Sequence, residues 1–216
     1  MGGSTSIAAD LASVPKGLTM LRRTAVALLL TFILTTGCSM THGDPSNPAK
    51  NPHPVKRYEV TATSYAPGPW DSVEAYIGYE VINTKCVPRD SFTGGQSVPN
   101  IGLDIPMTRV DDHTWNGYFY RDALQDEDYF KLGMCHWDVT DVSASFSAHG
   151  INFSSGSLLK NFLSSTSQTE YFKKSSYNDP GLVGIGALQF LPSSPEVVKH
   201  ADAFFPITVT VKEVTP

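Results

Sequence analysis

Apolar and polar residues alternate along several stretches of this chain, and a period of two is compatible with few structures other than β-strands. In RYEVTATSY, Tyr58, Val60 and Ala62 alternate with polar neighbours. FFPITVTVKEV, residues 204–214, repeats the pattern near the end of the chain. Alternation places every second side chain on one face, which suits a sheet with one buried side. The pattern therefore predicts strands at both ends of one β-rich domain.

Turn-forming residues separate further β-rich runs. APGPWDS lies between RYEVTATSY and VEAYIGYEVIN, and it predicts a turn that joins these two strands as a hairpin-like pair. DDH predicts a short connection between GLDIPMTRV and TWNGYFYRD. DVSASFSAH and GINFSS continue the β pattern. Most of the chain after residue 57 is therefore predicted as strands and turns.

Two stretches break the β pattern. SGSLLKNFLSS spaces its apolar residues as in a helix, with Ser157 as the candidate N-cap. Residues 175–204 are rich in Gly and Pro and predict a long irregular segment, with a helical turn that begins at Pro195. The predicted fold is mainly β: an antiparallel β-sandwich with one or two short helices and a long C-terminal loop.

The N-terminal segment has the layout of a secretory signal. Arg22 and Arg23 precede an uncharged, mostly apolar run at residues 24–36, and a polar, Pro-rich stretch follows. A helix that spans a bilayer needs about 20 apolar residues, so this run is too short. We predict a signal peptide at residues 1–37, with Met20 as the true start. Residues 38–57 are predicted as an extended tether, and residues 58–216 as a single β-rich domain.

The residues before Cys38 resemble the lipobox of bacterial lipoproteins. Thr35, Thr36 and Gly37 are small, although Leu34 lies four places before the cysteine instead of three. The resemblance implies that Cys38 is acylated and fastens the protein to the cell envelope, facing the periplasm. Ser39 replaces the Asp that signals inner-membrane retention in lipoproteins of enteric type, which favours the outer membrane. Ordinary signal cleavage and a buried helix are the alternatives.

Export determines how the other two cysteines are interpreted. An oxidising compartment favours a disulfide between Cys86 and Cys135, while two separate buried thiols are the alternative. His136 follows Cys135 directly, but neighbours on a strand point to opposite faces. A Cys–His catalytic pair is therefore not predicted from this adjacency.

Charge and motif content argue against several classes of function. Residues 38–216 contain 13 basic and 20 acidic side chains, which disfavours nucleic acid as a partner. The chain lacks a nucleophile elbow, a phosphate-binding Gly-rich loop, a C-x-x-C pair and metal-ligand spacing of its histidines. Its acidic cluster, DALQDEDYF, lacks the ligand pattern of an EF-hand. We therefore predict a protein that is not an enzyme, with no catalytic residue, metal or cofactor.

Three stretches carry a resemblance to a known group: WDSVEAYIGYEVINTKCVP, DEDYFKLGMCHWDVT and DAFFPITVTVKEV. They resemble small bacterial lipoproteins encoded beside secreted lipases, such as the immunity lipoproteins of type VI secretion phospholipase effectors. The resemblance implies a lipid-anchored periplasmic protein that binds a secreted phospholipase toxin and neutralises it. A structural or assembly lipoprotein of the envelope, and an enzyme with an unfamiliar site, are the alternatives.

Two segments are the predicted contacts with such a partner. The first combines acidic and aromatic residues, Asp126, Glu127, Asp128 and Tyr129. Aromatic residues are over-represented at interface hot spots, and the nearby acids could complete such a patch. The second is the long loop around Asn178 and Asp179.

Overall fold

The computed structural model describes residues 43–165 and 167–215. The predicted signal peptide and the predicted lipidation site Cys38 lie outside the described residues. Within them the chain is mainly β and forms two antiparallel sheets that pack face to face around one core. The predicted β-sandwich is therefore confirmed.

Nine strands and two short α-helices make up the regular structure of the described residues. The strands are β1 Arg57–Ser64, β2 Ser72–Val81, β3 Asn100–Pro106, β4 Thr108–Arg109, β5 Thr114–Tyr120, β6 Trp137–Ala148, β7 Ile151–Leu158, β8 Ser167–Lys173 and β9 Phe204–Glu213. The α-helices are α1 Leu159–Ser165 and α2 Pro195–Lys199. Short 3₁₀ helices span Thr84–Cys86, Lys174–Asn178, Pro180–Leu182 and Ala201–Ala203.

The strand order corrects the predicted pairing of the first two strands. One sheet has the order β4-β5-β1-β9-β8 and the other β3-β2-β6-β7, so β1 and β2 lie in different sheets. Residues 65–71 cross from one sheet to the other and do not form a hairpin turn. GLDIPMTRV, predicted as one strand, forms two. Strand β3 pairs with β2 in the second sheet, and only the short β4 pairs with β5.

The pairing of β6 with β7 is a tight hairpin. Its two connecting residues, His149 and Gly150, have positive φ angles of 53° and 76°. Two-residue hairpin loops favour such left-handed conformations because they match the twist of the strands. The helix predicted after this hairpin is present as α1. Ser157, however, belongs to β7 and accepts a hydrogen bond from Asn161 at 2.7 Å, so it is not the N-cap.

The alternation seen in the sequence corresponds to burial. Val60 and Ala62 of β1 and Val209 of β9 are fully buried, whereas their neighbours are partly exposed. The two sheets are also joined by a hydrogen bond, in which the Tyr79 hydroxyl of β2 donates to the Tyr120 carbonyl of β5 at 2.6 Å. Burial of this apolar face supplies the main driving force for the sandwich.

Residues 43–57, the described part of the predicted tether, lie along the domain. The backbone N–H of Asn51 donates to the carbonyl of Ala123, and that of Gln125 donates to Ala49, both at 2.8 Å. The Asp122 carboxylate accepts the backbone N–H groups of Val55 and Lys56. This part of the segment is therefore bound along residues 122–127.

The strands give the sandwich two distinct ends. The disulfide end comprises residues 43–56, 82–99 and 121–136, and Cys86 and Cys135 are bonded there with Cα atoms 5.4 Å apart. The loop end comprises residues 65–71, 110–113, 149–150 and 174–203, and residues 184–190 of the last segment run from this end along the outer edges of β7 and β8. The eight residues of β1 separate the two ends by about 26 Å.

Candidate functional site

The predicted acidic contact segment lies at the disulfide end, and its carboxylates hold the local fold. Asp126 accepts the backbone N–H of Trp137 at 2.9 Å and contacts the His136 ring at 2.7 Å. Glu127 accepts the backbone N–H of Gly43, and Asp128 that of Leu132. These carboxylates therefore order residues 126–137 and the N-terminal segment.

Tyr129 of the same segment is a buried residue, only 7% exposed. Its hydroxyl donates to the carbonyl of Gln125 and accepts the indole N–H of Trp137 at 3.0 Å. Reaching a partner would require this side chain to leave the core. Asp126 is the exposed member of the predicted group, while Glu127 and Asp128 are half-buried.

The second predicted contact region is at the opposite end of the molecule. Asn178 and Asp179 are exposed at the loop end, where the Asp179 carboxylate accepts the backbone N–H of Gly181 at 2.9 Å. The structure therefore does not bring the two predicted regions together. A partner that contacts both must extend along the full length of the strands.

The loop end carries an exposed apolar segment that was not among the predicted contacts. Val183, Ile185, Leu188 and Leu191 are 54%, 79%, 70% and 61% exposed. We call residues 183–191 the apolar segment. Clusters of exposed large apolar side chains mark interaction surfaces, because leaving them in water is unfavourable. The available sequence signal was an apolar run with neither helical nor strand periodicity, in GLVGIGALQFL.

The backbone of the apolar segment is fixed although its side chains are exposed. Gly184 donates to the carbonyl of Gly150 at 3.1 Å, and Ala187 donates to that of Asn152 at 2.8 Å. These bonds cover the outer edge of β7, which would otherwise present unpaired groups to solvent. Gly184 and Gly186 have positive φ angles of 74° and 94°, which glycine adopts without strain. The apolar side chains are thus held on an ordered support.

A cavity of about 360 Å³ opens at the loop end, between the β1–β2 connection and the β4–β5 turn. Arg109 and Asp112 form an ion pair of 2.9 Å at its rim, and the Arg109 guanidinium lies 5.9 Å from the centre of the Trp115 ring. Trp70 is half-buried in the wall and packs against core aromatic rings. Charged and aromatic groups therefore meet in one concave site.

The remaining polar groups of this cavity are held by the backbone. The His113 ring stacks on Tyr65 at 4.6 Å, and its Nδ1 lies 3.1 Å from the Ser64 carbonyl. Asp111, beside the rim, accepts the backbone N–H of His113, and this bond lowers the pKa of its carboxyl. The Ser64 hydroxyl is buried and has no hydrogen-bond partner among the described residues.

Comparisons of the chain with protein-family models, with curated proteins and with solved structures found no match. In the part of the chain that the structure describes, no group of three or more His, Cys, Asp or Glu side chains is arranged to hold a metal ion. No helix there is long and apolar enough to cross a membrane.

Proposed function

We propose that this protein is a lipid-anchored lipoprotein, facing the periplasm, that binds a secreted phospholipase and neutralises it. The observation that carries the proposal is the exposed apolar segment at the loop end. Val183, Ile185, Leu188 and Leu191 project from an ordered backbone and expose apolar surface of the kind that marks interaction sites.

The position of the apolar segment supports a partner in the periplasm. Residues 43–56 lie at the disulfide end, and Cys38 is five residues before Gly43. A lipid on Cys38 would hold the disulfide end close to the membrane and turn the loop end away from it. Anchoring would also raise the local concentration of the inhibitor where the toxin acts.

The chemistry of the apolar segment supports a lipid-degrading enzyme as the partner. An enzyme that binds acyl chains needs an apolar groove, and branched aliphatic side chains such as Ile185 and Leu188 are complementary to such a groove. Filling the groove would block substrate binding and would require no catalytic group in the inhibitor. The apolar segment is therefore the proposed inhibitory contact, with the adjacent Asn178 and Asp179 at its polar rim.

The test is co-purification of the protein with the product of each adjacent gene, followed by a phospholipase assay of any complex. The double variant Ile185→Asp, Leu188→Asp should lose the complex and leave the enzyme active. Phe92→Asp is the matched control, because Phe92 is 97% exposed at the disulfide end. We expect this control to inhibit normally.

Three outcomes would contradict the proposal. Full inhibition by the double variant would move the contact away from the apolar segment. Loss of inhibition by Phe92→Asp alone would place the contact at the disulfide end. A folded protein that binds no adjacent gene product but is retained on isolated cell envelopes would favour the structural or assembly lipoprotein.

A further inference from the structure

We propose that the cavity at the loop end is a binding site for a neutral sugar unit. Its polar and aromatic lining residues are Ser64, Trp70, Arg109, Asp112, His113 and Trp115. This inference does not depend on the proposed inhibition of a phospholipase, because the cavity and the apolar segment are separate features of the loop end.

The size of the cavity favours a small ligand. Its volume of about 360 Å³ lies at the lower end of the range of roughly 300–1,000 Å³ that is typical of small-molecule sites. Ser64 ends β1 and Trp115 lies in β5, and these two strands pair with each other. On the facing side, Trp70 packs against the core rings of Phe146 and Phe153. The walls are therefore fixed in relation to each other before any ligand binds, which lowers the cost of binding.

The Ser64 hydroxyl indicates that the ligand is polar. Ser64 is 1% exposed and lines the cavity, and its hydroxyl has no hydrogen-bond partner within the described residues. Buried hydroxyl groups in proteins are almost always hydrogen-bonded, so an unpaired one requires an explanation. The hydroxyl oxygen has almost no accessible surface in the free protein, so a small rotation of the Ser64 side chain would be needed for a ligand hydroxyl in the cavity to supply the missing partner.

The charges at the rim indicate that the ligand is neutral. Arg109 and Asp112 already neutralise each other at 2.9 Å. An anion would compete with Asp112 for the guanidinium, and a cation would compete with Arg109 for the carboxylate. Hydroxyl groups both donate and accept, so neighbouring hydroxyls can bind Asp112 and Arg109 together without separating the pair.

The two indole rings indicate that the ligand also has an apolar face. Trp70 is half-buried in the cavity wall, and Trp115 is 8% exposed beneath the Arg109 guanidinium. The negative face of an aromatic ring attracts the weakly positive C–H groups of a ligand. A pyranose ring combines such a C–H face with hydroxyls at its edge, which matches indole walls and a polar rim.

The experiment titrates the full-length protein, in detergent micelles, with glucose, galactose and N-acetylglucosamine. Binding is followed by tryptophan fluorescence and by saturation-transfer NMR of the sugar, with glucose 6-phosphate as the charged probe. We expect saturable binding of at least one neutral sugar, and binding of the charged probe at least tenfold weaker. Asp112→Asn should weaken the binding about tenfold, which corresponds to the loss of one charge-assisted hydrogen bond.

Ser64→Ala separates ligand binding from folding. Removing an unpaired buried hydroxyl should leave the stability of the free protein unchanged or raised, while sugar binding weakens severalfold. Asp90→Asn, an exposed carboxylate at the disulfide end, is the matched control and should bind as the wild type does.

Either of two results would overturn the inference. One is the absence of a saturable signal with all three neutral sugars; the other is tighter binding of glucose 6-phosphate than of its neutral counterpart. Equal affinity of the wild type, Asp112→Asn and Ser64→Ala would place any sugar binding outside this cavity.

Discussion

At the scale of single residues, ionisation of the Glu170 carboxyl group opposes folding. Glu170 lies on β8, and one of its oxygens is buried with no hydrogen-bond partner among the described residues. Burial raises its pKa, and hydrogen bonding to Ser155 and Gly156 only partly offsets this effect. The folded protein therefore binds a proton at Glu170 more tightly than the unfolded chain does.

Glu170→Gln should raise the free energy of unfolding near pH 7. The stabilisation that protonation of Glu170 provides is fully present below the ordinary pKa of a glutamate, and it is lost as pH rises through the raised pKa. The neutral amide removes this dependence, so the advantage of the variant should shrink towards pH 4. Urea unfolding across this range measures it, with exposed Glu74→Gln as the control. A pH-independent difference between Glu170→Gln and the wild type would contradict the assigned ionisation.

Residue type alone could not show which of the predicted contact residues 126–129 are buried and which are exposed. DEDYF shows no alternation, so the sequence does not indicate that Tyr129 enters the core while Asp126 faces solvent. The partners of these carboxylates are also distant in sequence, since Glu127 binds Gly43. Such contacts depend on the folded chain and have no local signal.

At the scale of elements, the sequence predicted strands more reliably than their partners. The β6–β7 hairpin connects neighbouring strands through His149 and Gly150, where few other geometries are available. The APGPWDS turn was equally clear, yet it leads to the other sheet. A turn motif shows that the chain changes direction, whereas the long-range packing of strands decides which sheet it enters.

The composition of the N-terminal segment, residues 43–57, predicted a free linker, whereas the structure binds this segment to the domain. Its prolines and polar residues are typical of an extended linker. Asp122, however, accepts the backbone N–H groups of Val55 and Lys56. Burial opposes the ionisation of Asp122, but these bonds outweigh it, and the pKa of the carboxyl is lowered. The attachment therefore persists above the ordinary pKa of an aspartate and weakens as pH falls through the lowered value.

Asp122→Ala should release this segment without unfolding the sandwich. Two backbone N–H groups lose their acceptor, at a cost of roughly 1–3 kcal/mol. Hydrogen exchange of residues 50–57 should accelerate accordingly, while that of β6 stays unchanged. Asp44→Ala is the control, because among the described residues its carboxylate accepts hydrogen bonds only from Ser46, which lies in the same segment. Unchanged protection of Val55 and Lys56 in Asp122→Ala would contradict the role given to this carboxylate.

At the scale of the whole molecule, the sequence predicted the fold class and the disulfide. It did not predict the cavity or the two distinct ends of the sandwich. Period-two alternation and the presence of Cys86 and Cys135 are features that can be read directly from the sequence. The cavity combines Ser64 and Trp70 with Arg109, some 40 residues away in the chain, and no local spacing reveals that they meet. The division into two ends likewise exists only once both sheets are assembled.

The disulfide should stabilise the whole molecule while leaving the loop end unaffected. It joins Cys86 to Cys135 across 49 residues, and loop-closure entropy predicts a contribution of about 4 kcal/mol. The double variant Cys86→Ser, Cys135→Ser should therefore unfold at lower urea concentration than the wild type. Reductant should lower the wild-type midpoint towards that of the variant and leave the variant unchanged.

Because the loop end lies about 26 Å away, the folded variant should still bind sugar and enzyme as the wild type does. Loss of both proposed activities in the folded variant would show that the two ends are coupled and would overturn the proposed separation into an anchoring end and a binding end.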